Sequence, residues 1–156
     1  AKAFEIAQEN RLKENTRLAE LRDILTKELL ACIPDSFLNG YPYINSTALA
    51  LKANDHGRMR LPNNVNISFA GIEGETLLIK LDELGICATS GSACTSGSLD
   101  PSHVLLAMGR STELANGALR LTLGRSTTAA DVKYVVDTLP RVIADLRKTS
   151  PLYCSL

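Results

Sequence analysis

Cys94 lies in the part of this sequence whose residue types most strongly favour chemistry. It stands in the run Thr89-Ser90-Gly91-Ser92-Ala93-Cys94-Thr95-Ser96-Gly97-Ser98. A free cysteine is usually a small buried hydrophobe, but this run is too polar and too rich in glycine and serine to bury, which predicts a flexible, exposed loop. Because a thiol on such a loop can reach a partner, react and move away, we expect Cys94 to be a nucleophile or a carrier.

A short helix is predicted directly after this loop, over residues 100–109. Asp100 is a favourable N-cap residue, Pro101 suits the first helical position, and Gly109 is a natural end. The positive end of this helix would favour a thiolate over a thiol. Several residues separate the helix from Cys94, which weakens this effect.

Composition and charge narrow the class of protein. The chain has 156 residues, 45% of them hydrophobic, which is enough for a single domain with a real core. Its 17 basic and 17 acidic residues give a formal net charge of zero, so we expect no nucleic-acid partner. The sequence has no apolar run of membrane-spanning length and no signal-peptide pattern, so we expect no membrane association.

The cysteines and histidines favour free thiols over disulfides or a metal site. None of the four cysteines forms a Cys-x-x-Cys pair, and nothing marks the chain as secreted. We therefore expect reduced thiols in a cytoplasmic protein. A zinc site needs closely paired ligands, and His56 and His103 are too scattered to complete one, so no metal is expected. His56 is interpreted as a solvated loop residue.

The beginning of the sequence indicates a piece of a longer protein. Its first residue is Ala1, its first methionine is Met59, and residues 2–32 already have the pattern of one long helix. An apolar stripe at helical spacing predicts the packed face of that helix, and it consists of Ile6, Leu18, Leu21, Leu25 and Leu29.

Two strands and a helix are predicted from alternation and periodicity in the middle of the chain. Residues 64–69 alternate polar and apolar side chains, which is typical of a half-buried strand. A helix is expected over 74–84, with four leucines facing the core, and Gly85 should end it. Residues 86–89 predict a short buried strand in which Cys87 packs rather than reacts. Residues 47–51 are a further candidate strand.

The last third of the chain predicts another strand and helix. In residues 118–123 three leucines share one face, and Arg120 lies on the other, where a solvated charge is the ordinary interpretation. Thr128 and Asp131 have the spacing of a capping box. Apolar residues continue at helical spacing beyond them, and Pro140 should kink or divide the helix.

The order of these elements is helix, strand, helix, strand, loop, short helix, strand, helix. It favours an α+β fold in which a small, mostly antiparallel sheet has helices packed on one side, with a long N-terminal helix. Residues 1–156 are expected to form a single domain.

The loop around Cys94 also resembles a known family. Residues 90–96 are similar to the active-site loop of the NifS/IscS-type cysteine desulfurases, which are fold-type-I enzymes that depend on pyridoxal phosphate. The surrounding segments resemble that family in the same order, most closely over residues 61–151. These segments are Leu61–Phe69, Glu73–Glu75, Leu99–Leu105, Arg120–Arg125 and Ser150–Leu152.

This resemblance implies an activity and a role for two residues. The family takes sulfur from L-cysteine, releases L-alanine, and holds the sulfur as a persulfide that supplies iron–sulfur cluster assembly. By position, Cys94 would be the nucleophile that attacks the substrate sulfur, and Arg120 would bind the substrate carboxylate. The implied partners are L-cysteine and an iron–sulfur scaffold or another sulfur-acceptor protein, and the implied full-length enzyme is a homodimer.

The resemblance extends to the small C-terminal domain of that family only. The family binds its cofactor through a lysine that follows a histidine, and this sequence has no His-Lys pair. We therefore expect pyridoxal phosphate in the full-length enzyme, with a large domain supplying the lysine, and no covalently bound cofactor in this fragment, which by itself is expected to be inactive. A stand-alone persulfide carrier and an interaction domain without enzymatic activity remain the alternatives.

Overall fold

The computed structural model describes residues 2–40, 60–90, 100–151 and 153. In this part the chain forms, in order, α1 Lys2–Cys32, β1 Ser36–Leu38, β2 Asn64–Phe69, α2 Gly74–Glu83, α3 His103–Ala107, α4 Thr112–Asn116, β3 Ala118–Thr122 and α5 Ala129–Thr149. The α+β class is confirmed. The candidate strand at 47–51 and His56 lie outside the described residues.

The three described strands form one antiparallel sheet in the order β1-β2-β3. On β2 and β3, Asn66 lies opposite Arg120 and Ile67 lies opposite Leu119. Because directly opposed side chains point to the same face, this register separates a leucine-rich face from a polar face. The predicted small antiparallel sheet is therefore confirmed.

The core lies between the apolar face of the sheet and the three longer helices, α1, α2 and α5. The side chains from β2 and β3 that reach it are Val65, Ile67, Phe69, Leu119 and Leu121. The prediction that the helices pack on one side of the sheet does not hold for the two short helices. Leu105 of α3 and Ala115 of α4 cluster with Ala118. Ala118 is on the strand face opposite to Leu119, so α3 and α4 pack at the end of the polar face.

Only the second half of α1 packs against this core. Leu18, Leu21, Leu25 and Leu29 are buried as the apolar stripe predicts. The prediction for Ile6 is wrong, because its side chain is 41% exposed. The buried residues of this helix begin at Leu18, so the described core covers none of its first half.

The ends of two helices follow their sequence signals. Gly85, at φ 72°, follows α2 in the left-handed region that glycine tolerates best, although Leu84 is exposed rather than in the core. Thr128 and Asp131 form the predicted capping box, in which Thr128 Oγ1 accepts from the Asp131 amide and the Asp131 carboxylate accepts from the Thr128 amide. The latter bond holds the pKa of Asp131 below its usual value.

Pro140 does not divide α5, which continues for 21 residues through it. Proline removes one backbone donor from a helix interior. The neighbouring Leu139 and Ile143 are almost fully buried against the core, and this packing holds the helix together across the missing bond. The part of the prediction that had the helix divide is therefore wrong.

A buried arginine fastens α5 to the ends of α1 and β2. The Arg147 guanidinium donates to the carbonyl oxygens of Pro34, Asp35 and Ala70 at 2.8, 3.2 and 3.0 Å. It also lies 4.4 Å from the ring centroid of Tyr153. The Tyr153 hydroxyl donates to the Asp35 carboxylate, which raises the pKa of that tyrosine.

Replacing Gly117 with alanine is expected to destabilise the protein by about 1–3 kcal/mol. An added Cβ would lie 2.4 Å from the Phe69 carbonyl oxygen and 2.8 Å from that of Ile72, so the junction of β2 and β3 would have to separate. This strain exceeds the roughly 0.4–1 kcal/mol that alanine gains by restricting the unfolded chain. Chemical denaturation of the purified protein would measure the change.

Gly124→Ala is the matched control, because its added Cβ would have only the Thr127 hydroxyl nearby, at 4.0 Å. We expect its stability to equal or slightly exceed that of the parent. Equal stabilities of the two alanine variants would contradict the close approach at Gly117.

Candidate functional site

The polar face of the sheet contains the candidate site. Alternation along β2 and β3 directs the apolar side chains into the core and leaves the others on the opposite face. The side chains of the polar face are Asn64, Asn66, Ser68, Arg120 and Thr122. Among the described elements, α3 and α4 pack at the Ala118 end of this face, and Arg120 is partly exposed.

Arg120 is held by backbone contacts on both sides. It lies opposite Asn66 on one side, and on the other it forms an isolated bridge with Thr89. The Arg120 amide donates to the Thr89 carbonyl at 2.7 Å, and the Thr89 amide donates to the Arg120 carbonyl at 3.2 Å. The backbone that carries the guanidinium is therefore held on both sides, by β2 and by Thr89.

The Arg120 side chain lacks the partners that a buried cation normally has. Its Nε is buried and has no hydrogen-bond acceptor, and the described residues place no carboxylate within ion-pair distance of it. Asn64, on the same face, has a buried Oδ1 without a donor. Since unsatisfied buried polar groups are costly, a charge-complementary ligand for the guanidinium would relieve this cost.

Cys94 belongs to residues 91–99, which lie outside the described part of the chain. Its covalent connection to the site is nevertheless short, because it follows Thr89 by five residues. A residue spans at most about 3.6 Å, so the two Cα atoms are no more than about 18 Å apart. Thr89 in turn is bonded to Arg120.

The helix after this loop begins later than the sequence predicts. Its N-cap is Ser102 rather than Asp100, and Pro101 precedes the helix instead of opening it. Gly109, at φ 84°, ends the segment as predicted. With five residues, α3 has only a small dipole, so it gives less support than a longer helix would to the expectation that this helix favours a thiolate.

A hydrogen-bonded network adjoins Arg120 on the β1 side, and sequence reasoning missed it. Asn39 is 3% exposed, and its Nδ2 donates to Asn66 Oδ1 at 2.7 Å and to Ser68 Oγ at 2.8 Å. Its Oδ1 accepts from Arg110 Nε at 2.7 Å. The polar residues that alternate along β2 could have indicated this network. Their partner Asn39, however, follows a strand that is too short to recognise from the sequence.

Two further cations adjoin this network. Arg110 also donates to the Leu38 carbonyl at 2.7 Å and lies over the ring of Phe37. Arg60 donates to the Asn39 carbonyl at 3.0 Å. Burial lowers the pKa of Arg60, and the positive charge of Arg22 adds to this effect. Two positive charges therefore lie beside this network, and they favour an anionic ligand nearby.

The other cysteine and histidine side chains that the structure describes do not contribute to this site. Cys87 is exposed, so the prediction that it packs in a buried strand is wrong, and only Thr89 of that segment pairs with β3. Cys32 and His103 are also exposed. Within residues 2–40, 60–90, 100–151 and 153, no group of three potential ligands could hold a metal ion, and no helix has the length and hydropathy to cross a membrane.

Curated proteins that are similar to this sequence are named cysteine desulfurases. It is 49% identical over 152 residues to "Cysteine desulfurase IscS" of Clostridium botulinum, covering 97% of this chain and 35% of that protein. The protein of the same name from Dictyoglomus turgidum is 46% identical over 150 residues, with 96% and 34% covered. The chain thus spans about a third of the length of these relatives.

Solved structures share the fold. A "NifS-like protein" superposes with a TM-score of 0.69 at 25% identity, covering 92% of this chain and 32% of the other. A NifS-like protein from Rickettsia africae gives a TM-score of 0.66 at 22% identity, with 89% and 31% covered.

A family model, aminotransferase class-V, matches residues 44–135. The matched region covers more than half of the sequence and includes β2, the Cys94 loop and the strand that carries Arg120. The chain therefore belongs to the class-V aminotransferase family.

Proposed function

We propose that this chain is the C-terminal small domain of a cysteine desulfurase, in which Cys94 accepts sulfur from L-cysteine and Arg120 binds the carboxylate of that substrate. The names of the relatives and their identity across nearly the whole chain support this assignment. One structural observation carries it furthest. The backbone bridge between Thr89 and Arg120 joins the start of the cysteine loop to the strand that carries the unpaired guanidinium.

Arg120 suits the binding of a carboxylate. A guanidinium is planar, remains charged at neutral pH, and forms two parallel hydrogen bonds with a carboxylate. Here the side chain is partly buried and without an ion-pair partner among the described residues. A substrate carboxylate supplies both the missing acceptor and the missing charge, and the rigid strand then fixes the orientation of the bound amino acid.

Cys94 suits the acceptance of sulfur. The net reaction forms a bond between the Cys94 sulfur and the substrate sulfur, while the bond between the substrate sulfur and its β-carbon breaks. The products are L-alanine and a Cys94 persulfide, so atoms and electrons balance without a further oxidant. The Cα atom of Cys94 lies within about 18 Å of that of Thr89, which is bonded to Arg120, so a loop thiol there can receive the sulfur near Arg120 and then carry it outward.

The described residues do not fit the attachment site of pyridoxal phosphate. The cofactor forms an imine with a lysine that must be sheltered from solvent to be reactive at neutral pH. All six lysines of the described ranges are exposed, and four of them form surface ion pairs. Together with the absence of a His-Lys pair from the sequence, this leads us to propose that a large domain supplies the cofactor lysine and that this part holds no covalently bound cofactor.

The remaining parts of the proposal concern the whole enzyme. We propose a cytoplasmic homodimer that hands its persulfide sulfur to an iron–sulfur scaffold or to another acceptor protein. The unpaired thiols of Cys32 and Cys87 are compatible with a reducing compartment.

The proposal is tested with the purified full-length protein that contains this chain. Incubation with L-cysteine should release L-alanine, and peptide mapping should find the added sulfur atom on Cys94. Sulfur on Cys94 without alanine release would instead indicate a persulfide carrier that is loaded by another enzyme. If neither product formed, the chain would have to be assigned to an interaction domain, and the proposed function would be wrong.

A further inference from the structure

Asn66 is the closest side-chain neighbour of Arg120 across the sheet. The amide and carbonyl of Arg120 are both bonded to Thr89, on the side away from β2. Arg120 and Asn66 therefore form a non-hydrogen-bonded pair, the type in which opposed side chains lie closer together. Their Cβ atoms are expected about 5 Å apart on the polar face.

The donor-only guanidinium of Arg110 determines which atom Asn66 presents. Since Arg110 Nε can only donate, it requires Asn39 to turn Oδ1 toward it. Asn39 Nδ2 then faces β2, and Asn66 must offer Oδ1 to accept from it. The amide nitrogen of Asn66 is thereby left on the side away from β1, and it has no acceptor among the described residues.

We propose that Asn66 donates its amide N–H to the same substrate carboxylate that Arg120 binds, and that Arg110, acting through Asn39, is the positioning residue that keeps this donor turned toward the ligand. This inference rests on the proposed function, since it assigns a second residue to the same carboxylate. Two adjacent donors on a rigid sheet select a ligand with two acceptor oxygens. A ligand without a carboxylate leaves both donors unsatisfied.

The test compares two ligands of the full-length holoenzyme that differ only by the carboxylate. L-cysteine is the substrate, and cysteamine is its decarboxylated analogue, used as a competitive inhibitor. Asn66→Asp keeps the shape and the acceptor for Asn39, but it replaces the donor with a negative charge. We expect the KM for L-cysteine to rise roughly 10- to 100-fold, as for a lost hydrogen bond to a charged group.

If Asn66 contacts only the substrate carboxylate, Asn66→Asp should change the KM for L-cysteine far more than the other two constants. The kcat should stay within about threefold of the parent, and the inhibition constant of cysteamine should be unchanged or lower. Asn116→Asp, at an exposed position on α4, adds the same charge away from the site and should leave all three constants unchanged. If Asn66→Asp weakened L-cysteine and cysteamine equally, Asn66 would have only a scaffold role, and the inference would be wrong.

The positioning role of Arg110 has its own readout. Arg110→Met removes the donor that orients Asn39, so the KM for L-cysteine should rise roughly 3- to 10-fold, whereas Arg110→Lys, which still donates, should restore most of the affinity. Failure of the lysine variant to rescue would overturn this role. This pair also keeps the inference testable if Asn66→Asp does not fold.

Arg120→Lys separates this inference from the proposed function. If Arg120→Lys raises the KM for L-cysteine while Asn66→Asp does not, only the role of Asn66 is wrong. If neither variant changes the discrimination between L-cysteine and cysteamine, the assignment of the carboxylate to this face is wrong as well.

Discussion

Replacing Cys94 with serine in the full-length enzyme is expected to abolish persulfide formation and to reduce release of L-alanine from L-cysteine to background. A serine hydroxyl is far less nucleophilic than a thiolate near neutral pH, and its oxygen cannot hold transferable sulfur. Binding of cofactor and substrate should be nearly unchanged, because Arg120 and its backbone contacts remain. Alanine release and protein-bound sulfur would be measured together.

Cys87→Ser is the matched control for this change. Cys87 is exposed and stands seven residues before Cys94, so an effect of losing any thiol in this region would appear in both variants. We expect the Cys87 variant to retain parental turnover. If the Cys94→Ser enzyme formed alanine at the parental rate, Cys94 would not be the sulfur acceptor, and Cys87 or Cys154 would become the candidates.

Replacing Arg120 with alanine is expected to lower kcat/KM for L-cysteine by roughly 100- to 1000-fold. Losing a bidentate, charge-assisted contact costs about 3–4 kcal/mol of transition-state stabilisation when the substrate is also misoriented. Unlike the Cys94 variant, this enzyme should still form some persulfide at saturating substrate. Steady-state kinetics over a wide range of L-cysteine concentration would show this difference.

Arg141→Ala is the control for removing a positive charge, since Arg141 is exposed on α5. Its kcat/KM should equal that of the parent. Similar kinetics for the Arg120→Ala and parental enzymes would contradict carboxylate binding at β3. The unsatisfied Nε of Arg120 would then need another ligand.

Periodicity predicts the long elements of this fold well. The strand at 64–69 and the capping box before α5 match the structure, since each depends on contacts within a few residues. The stripe of α1 was correct from Leu18 onward but not at Ile6. A periodic pattern identifies a helical face, whereas the extent of a core depends on where the other elements end.

Periodicity does not predict the short elements. The three residues of β1 and the five of α4 are too short for a period to be visible, and β1 forms only because β2 lies beside it. The start of α3 shows a further limit. Asp100 and Pro101 are favourable residues for a helix start, yet the helix begins at His103.

The candidate site could be predicted from the sequence in part. Alternation in residues 118–123 placed Arg120 opposite the leucine face, and the structure confirms this. Its neighbours could not be found in this way, because the Arg110–Asn39 bond spans 71 positions along the chain. Such a bond depends on how distant segments pack together, which a single sequence does not display.

The bridge at Thr89 also affects how this sheet can meet other chains. An unpaired edge strand offers a row of amide and carbonyl groups to which a foreign strand can add. Among the described residues, the amide and carbonyl of Arg120 in the centre of the β3 edge are already bonded to Thr89, so an incoming strand could not pair with β3 at this position. The other edge, β1, is three residues long. We therefore expect the bridge between Thr89 and β3 also to protect the sheet against edge-to-edge aggregation.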